Sequence, residues 1–199
     1  MNLEVTCLDT ILKWLDEANI HRVSSELTKR QKIFDLLCDK IEYDFNLMNN
    51  IQKKRAARDP VMEFDNVFLN SKGICSSISQ AYHVMLHIAG IMSKCVCCTD
   101  NQQLHELVYF HSTLTLDDPT NAILNRKRQS IYFNYSIETA ITHGQGIKAV
   151  LDKKYWITIP DDWIKYIVHN SEFSLCIQNS VFQSKFTRKV MGVSSETDL

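Results

Sequence analysis

Apolar residues recur every three or four positions over residues 3–18: Leu3, Cys7, Leu8, Ile11, Leu12 and Leu15 form one stripe, while Asp9, Lys13 and Asp16 fall off it. That spacing predicts an amphipathic helix. A second helix opens where Ser24 or Ser25 can cap it and Glu26 enters its first turn. It carries Leu27, Ile33, Phe34, Leu37, Cys38 and Ile41 and reaches toward Phe45. Further on, Ile78, Ala81, Tyr82, Met85 and Ile88 share one face. The turn-forming Asn70-Ser71-Lys72-Gly73 precedes them, and Gly90 stands where a C-terminal cap belongs. Those limits define a helix of about 14 residues, with Cys75 at or just before its first turn.

Past Gly90 the period shortens. Residues 91–98, 104–110 and 114–118 are brief and rich in strand formers, as are Ile131-Tyr132-Phe133 and Tyr155-Trp156-Ile157-Thr158-Ile159. Residues 135–143 and 161–169 return to helical spacing, the latter opened by Pro160-Asp161-Asp162, and the polar tail from Thr187 frays. No repeat and no linker interrupts the pattern. It predicts one α+β domain over residues 1–199.

Composition narrows the class. The 199 residues, 45% hydrophobic and 23% charged, are enough to build a core without staples. A net charge of -1 offers no field to attract nucleic acid or an anionic membrane. Lys53, Lys54, Arg55 and Arg58 form the most basic stretch, expected to be a solvated linker. The first residues include Glu4 and Asp9 where a signal peptide carries basic residues, and no run approaches the ~18 apolar residues of a membrane span. Seven cysteines cannot all pair, so reduced thiols in a cytoplasm are expected.

Among those thiols Cys75 has the most telling position. Free backbone N–H groups and the positive end of the helix dipole favour thiolate there, and the same N–H groups can serve as part of an oxyanion hole. Gly73 lets the chain turn sharply and lets substrate approach. The plain alternative is a small buried hydrophobe that happens to begin a helix. If residues 104–110 and 114–118 form a hairpin with His111-Ser112 at its turn, His105 faces Asp118 directly. Leu114, Leu116 and Asp118 then share the apolar face, and Thr113, Thr115 and Asp117 the other, unless the pair is an ordinary cross-strand contact. Nucleophile, base and orienter would follow in the order Cys75, His105, Asp118.

In Gly73-Ile74-Cys75, the following Ile78-Ser79, the helix closed by Gly90-Ile91, the single His105, Asp118-Pro119-Thr120, and Tyr132-Phe133 with Ser136 beyond, the chain resembles the transglutaminase-like branch of the papain-like thiol enzymes. Ile41-Glu42-Tyr43-Asp44 resembles the end of the helix before the nucleophile in that family. The resemblance covers about residues 30–136, with an N-terminal helical extension and a C-terminal α/β extension. It implies a nucleophile helix packed on an antiparallel sheet, with Cys75, His105 and Asp118 as the catalytic set. The chain departs from the family at Glu106-Leu107 after His105 and at Asn121 after Asp118-Pro119-Thr120. Both departures are expected to touch the wall of the substrate cleft.

The expected reaction is acyl transfer at an amide through a Cys75 thioester: proteolysis, deamidation or transglutamination of a protein or peptide. Asn70 is a candidate oxyanion donor, and no cofactor is expected. Cys95-Val96-Cys97-Cys98 with His83, His87 or His105 invites a metal site. The strand alternation splits the thiols between two faces, so core cysteines are the better expectation and no metal is predicted. Tyr43, Tyr82 and Trp156 are expected in the core or cleft wall, Cys7, Cys38 and Cys176 as packing, and His21, His111, His143 and His169 at the surface. A reading from another class is a non-catalytic protein-binding module that keeps the transglutaminase-like fold.

Overall fold

Several helices in this chain begin where a side chain takes up N–H groups of the first turn. The computed structural model describes residues 5–55, 57–100, 103–142, 144–150 and 159–177. Helix α1 spans Val5–Glu17. Ser25 Oγ accepts from the Thr28 N–H and opens α2 (Glu26–Lys40), which stops four residues short of Phe45. Phe45 instead starts a separate helix, α3 (Phe45–Gln52), capped by Asp44. Asp59, with Pro60 at the first helical position, opens α4 (Pro60–Leu69), which buries Phe64, Val67 and Phe68.

Between these helices Glu42–Tyr43 (β1) and Lys72–Gly73 (β2) form a two-residue parallel pair, where a simple turn was expected at Lys72-Gly73. Helix α5 (Cys75–Ile88) follows and is buried along most of its length against α2, α4 and the sheet. Gly73 is needed for close packing here. A Cβ at this position would lie 2.9 Å from Ile78 Cγ1 and Ser77 Oγ and 3.0 Å from Val67 Cγ2.

The sheet is antiparallel, in the order β6-β5-β4-β3-β7. Its strands are β3 (Lys94–Asp100), β4 (Gln103–Phe110), β5 (Thr115–Asp117), β6 (Tyr135–Ser136) and β7 (Gly146–Val150). One face sends Cys95, Val108 and Phe110 into the core shared with the helices. The other joins Val96, Cys98, Leu107, Leu116 and Tyr135 to Ala140 of α7 (Ile137–Thr142) in a second cluster. Helix α6 (Pro119–Leu124) leaves the end of β5, and α8 (Asp161–Asn170) packs Trp163 and Ile167 into the main core. The described residues thus form a mixed helix-and-strand structure compatible with α+β.

The hairpin departs from the expected register. Its turn occupies residues 111–114, and Val108 pairs with Asp117, Tyr109 with Leu116 and Phe110 with Thr115, a slip of two positions. A two-residue slip keeps every side chain on its face, so His105 and Asp118 still share one. Asp117 is buried as well, because both faces of the sheet are covered. Residues 131–133 are not a strand; they close a 3-10 stretch over Arg126–Tyr132. The expected strand at 155–159 falls mostly, and the tail from Thr187 wholly, outside the described residues. Among the described residues no helix is long and apolar enough to cross a membrane.

Candidate active site

Cys75 is the first residue of α5. The earliest backbone bond of that turn runs from Ile78 N–H to Ile74 O, which leaves the N–H groups of Cys75, Ser76 and Ser77 without partners inside the helix. Ser77 Oγ reaches back to accept from Ile74 N–H at 3.0 Å and fixes the entry to the helix. Tyr43 is held next to Gly73 by the β1–β2 pair, near enough for Cys75 to act on its phenol. Burial first, then Cys75 and Asp44, push that phenol up to about 12, so it stays a hydrogen-bond donor.

His105 lies on β4 and Asp118 caps α6 where β5 ends. Nε2 of the imidazole meets Asp118 Oδ2 at 2.9 Å, with the His105 side chain 9% exposed and Asp118 fully buried. Burial alone would hold His105 low. Asp118 outweighs it, a side-chain hydrogen bond with Cys75 adds to that, and the imidazole titrates well above its ordinary value. With Nε2 committed to Asp118, Nδ1 is the ring nitrogen that remains for the thiol. Burial likewise opposes charge on Asp118, yet His105, the Asn121 N–H and Gln145 hold it below the usual carboxylate range. Its Oδ1 accepts from Asn121 N–H at 2.9 Å, and its Oδ2 accepts from Asn121 Nδ2 and Gln145 Nε2, each at 2.8 Å.

One residue earlier, Asp117 faces the helices. Arg30 Nε and Nη2 donate to its two oxygens at 2.9 and 2.7 Å, and the guanidinium stacks 3.6 Å from the Phe110 ring centroid. Tyr82 Oη and Asn134 N–H each donate to the same carboxylate at 2.7 Å. The chain around Asp118 is therefore anchored from both sides of the sheet. Ser76 and Ser77, next after Cys75, help to line a cavity of about 420 Å³ together with Arg58, Pro60, Glu63, Gln80 and Glu106.

No family model matches the chain, and no curated protein does. The chain is similar in structure to a transglutaminase known from a crystal structure of a TGase. The TM-score is 0.52 at 17% identity over 89% of this chain and 49% of that one. The likeness is one of fold. It supports a distant transglutaminase-like fold, and the chain spans about half the length of the protein it matches.

The structure brings Cys75, His105 and Asp118 together and leaves Asn70 apart. Asn70 ends α4, is exposed, and donates its side-chain N–H to Asn66 Oδ1 at 2.7 Å. Asn121, expected on the cleft wall, instead donates twice to Asp118, and Leu107 is buried in the second core cluster. Gln145, held from its other side by Tyr135 Oη at 3.0 Å, had no signal in the sequence because it lies 27 residues from Asp118 in an unpatterned turn. His83 and His87 stack with ring centroids 4.2 Å apart, and His83 Nδ1 bonds to Ser93 Oγ. Among the described residues no group of three or more His, Cys, Asp or Glu is arranged to hold a metal. His21, expected at the surface, packs its ring edge-on to Phe173.

Proposed function

We propose that this chain is a thiol-dependent acyl-transfer enzyme acting on amide bonds of proteins or peptides, with Cys75, His105 and Asp118 as its catalytic set in one transglutaminase-like domain. The observation that carries the reading is the buried His105–Asp118 bond at 2.9 Å, with Cys75 as the other hydrogen-bond partner of the same imidazole at a helix N-terminus. His105 Nδ1 takes the proton from Cys75 Sγ, and the thiolate attacks the substrate carbonyl carbon. The oxyanion then meets the free N–H groups of the first turn of α5, with the Tyr43 hydroxyl in place of Asn70 as a second donor. The imidazolium gives its proton to the leaving nitrogen, the C–N bond breaks, and a Cys75 thioester remains. Water or an amine attacks that thioester, His105 takes the proton of the incoming group and returns it to the thiol. Asp118 keeps the imidazole in the required tautomer and stabilises its charged form. The step needs no metal or cofactor, and its thiol calls for a reducing compartment such as the cytoplasm.

The reading is tested by incubating the protein with a glutamine-containing peptide and hydroxylamine and following peptide masses. A mass change from amine incorporation, deamidation or cleavage that vanishes in Cys75→Ala is the expected result. The same change persisting in Cys75→Ala would overturn it. An unreactive Cys75 with an intact fold would favour the non-catalytic binding module.

A further inference from the structure

The cavity beside Cys75 is built from groups that acyl transfer does not itself need. Arg58 reaches in from the segment before α4. Its Nε and Nη2 hold Glu63 at 3.0 and 2.6 Å, and Nη2 also donates to Ser76 Oγ at 2.6 Å. The Glu63 side chain is 3% exposed and that of Arg58 47%. Two of the three guanidinium nitrogens are committed in this way, and the third still has two N–H groups to give. From the sheet, Glu106 follows His105 in β4, and its Oε1 accepts from Gln80 Nε2 at 3.0 Å. The basic stretch that was expected to be a mere solvated linker thus contributes one wall of a site.

The charge balance of this cavity is specific. Burial pushes the Glu106 carboxyl up to about 8, against the pull of Gln80, Arg58, Cys95 and His105, so it keeps its proton at neutral pH. Around it are Arg58 from the preceding segment, Glu63 from α4, Gln80 from α5 and Cys95 from β3, while His105 points to the opposite face of the strand. Arg58 and Glu63 cancel, leaving donors and acceptors side by side with no net charge. An ammonium group entering here would meet the Arg58 guanidinium. A carboxylate would meet Glu63, and an apolar chain would strip water from the remaining N–H groups of half-exposed Arg58 without giving them a partner.

We infer that this cavity is a subsite for an uncharged carboxamide side chain next to the bond under attack, with Arg58 donating to its carbonyl oxygen and Glu106 accepting from its N–H. This carboxamide is held, not cleaved, and the inference rests on Cys75 as the nucleophile. It makes Arg58 and Glu106 specificity residues rather than catalytic ones.

The test is inactivation by four acetyl-alanyl-X chloromethyl ketones, with X glutamine, glutamate, lysine or leucine. In each the Cys75 thiolate displaces chloride as the C–S bond forms. The glutamine reagent should react roughly tenfold faster than the isosteric glutamate reagent and ahead of the other two. Glu106→Leu should bring the four rates together. Arg58→Ala, which also leaves the buried Glu63 carboxylate without its cation, should abolish the glutamine lead and favour the lysine reagent instead. His105→Ala should slow all four in parallel and keep their order. If Cys75 reacts faster than a free thiol but prefers glutamate, lysine or leucine, or if the preference survives both Arg58→Ala and Glu106→Leu, the subsite is overturned and the nucleophile stands. If all four react as a free thiol does and His105→Ala changes nothing, the reading of Cys75 fails first, and the subsite with it.

Discussion

Replacing Arg30 by methionine isolates one buried charge. Arg30 is 1% exposed and Asp117 fully buried, and the pair is bidentate. Methionine keeps much of the packing against Phe110 and Phe133 but leaves Asp117 with only the Tyr82 hydroxyl and the Asn134 N–H as donors. Removing one partner of a buried ion pair costs about 3–5 kcal/mol, chiefly because the other charge stays dry. For a chain of this size that lowers the melting temperature by roughly 6–20 °C. Urea denaturation at neutral pH, followed by circular dichroism, measures the loss. The double variant Arg30→Met with Asp117→Asn removes the stranded charge and should recover a large part of it, giving strongly non-additive energies. Acid should also narrow the gap between Arg30→Met and the parent, since a buried carboxyl without its cation is raised and sheds its charge as the pH falls. A loss under about 1 kcal/mol, or simple additivity in the double variant, would refute the view that this pair anchors the strand end carrying Asp118.

Two further outcomes follow from buried polar groups. Burial holds His83 well below its ordinary value and, with a part-exposed ring but a buried and unpartnered Nε2, His87 at about 4. Both are depressed below the unfolded value of about 6.5, so stability is complete above that pH and falls below it, for His87 between about 6.5 and 4. His87 accounts for at most about 3 kcal/mol of the fall, and His87→Phe should flatten the acid limb of a melting-temperature profile. Gln145→Leu removes one donor from the buried Asp118 carboxylate and the acceptor of Tyr135 Oη. It should cost about 1–3 kcal/mol in urea denaturation, and a neutral result would mean that Gln145 does not support Asp118.

Much of this arrangement was legible where one local rule decides the outcome. The stripe from Ile78 to Ile88 with Gly90 behind it placed α5 and put Cys75 at its N-terminus. Strand alternation placed His105 and Asp118 on one face even though the turn was two residues longer at its centre than expected, because a slip of two preserves facing. Where chain separation sets the contact, the pattern was silent. Arg30 meets Asp117 across 87 residues and Gln145 meets Asp118 across 27. Helix α4 is different. Its signal was present in Asp59-Pro60 and in the spacing of Phe64, Val67 and Phe68, but the basic residues before it suggested a linker. Asn121 was placed on the cleft wall because it departs from the pattern of the family the chain resembles after Asp118-Pro119-Thr120; a residue three past a capping Asp is in fact where its N–H meets the cap.

The pH profile of Cys75 alkylation by iodoacetamide tests the central claim most directly, with half-buried Cys97 and Cys176 as internal references. The account predicts a Cys75 rate well above both references across the whole profile, with the lead dependent on His105. In His105→Ala that lead should be lost and Cys75 should react as the reference thiols do. Identical profiles for the parent and His105→Ala, each following the reference thiols, would contradict it.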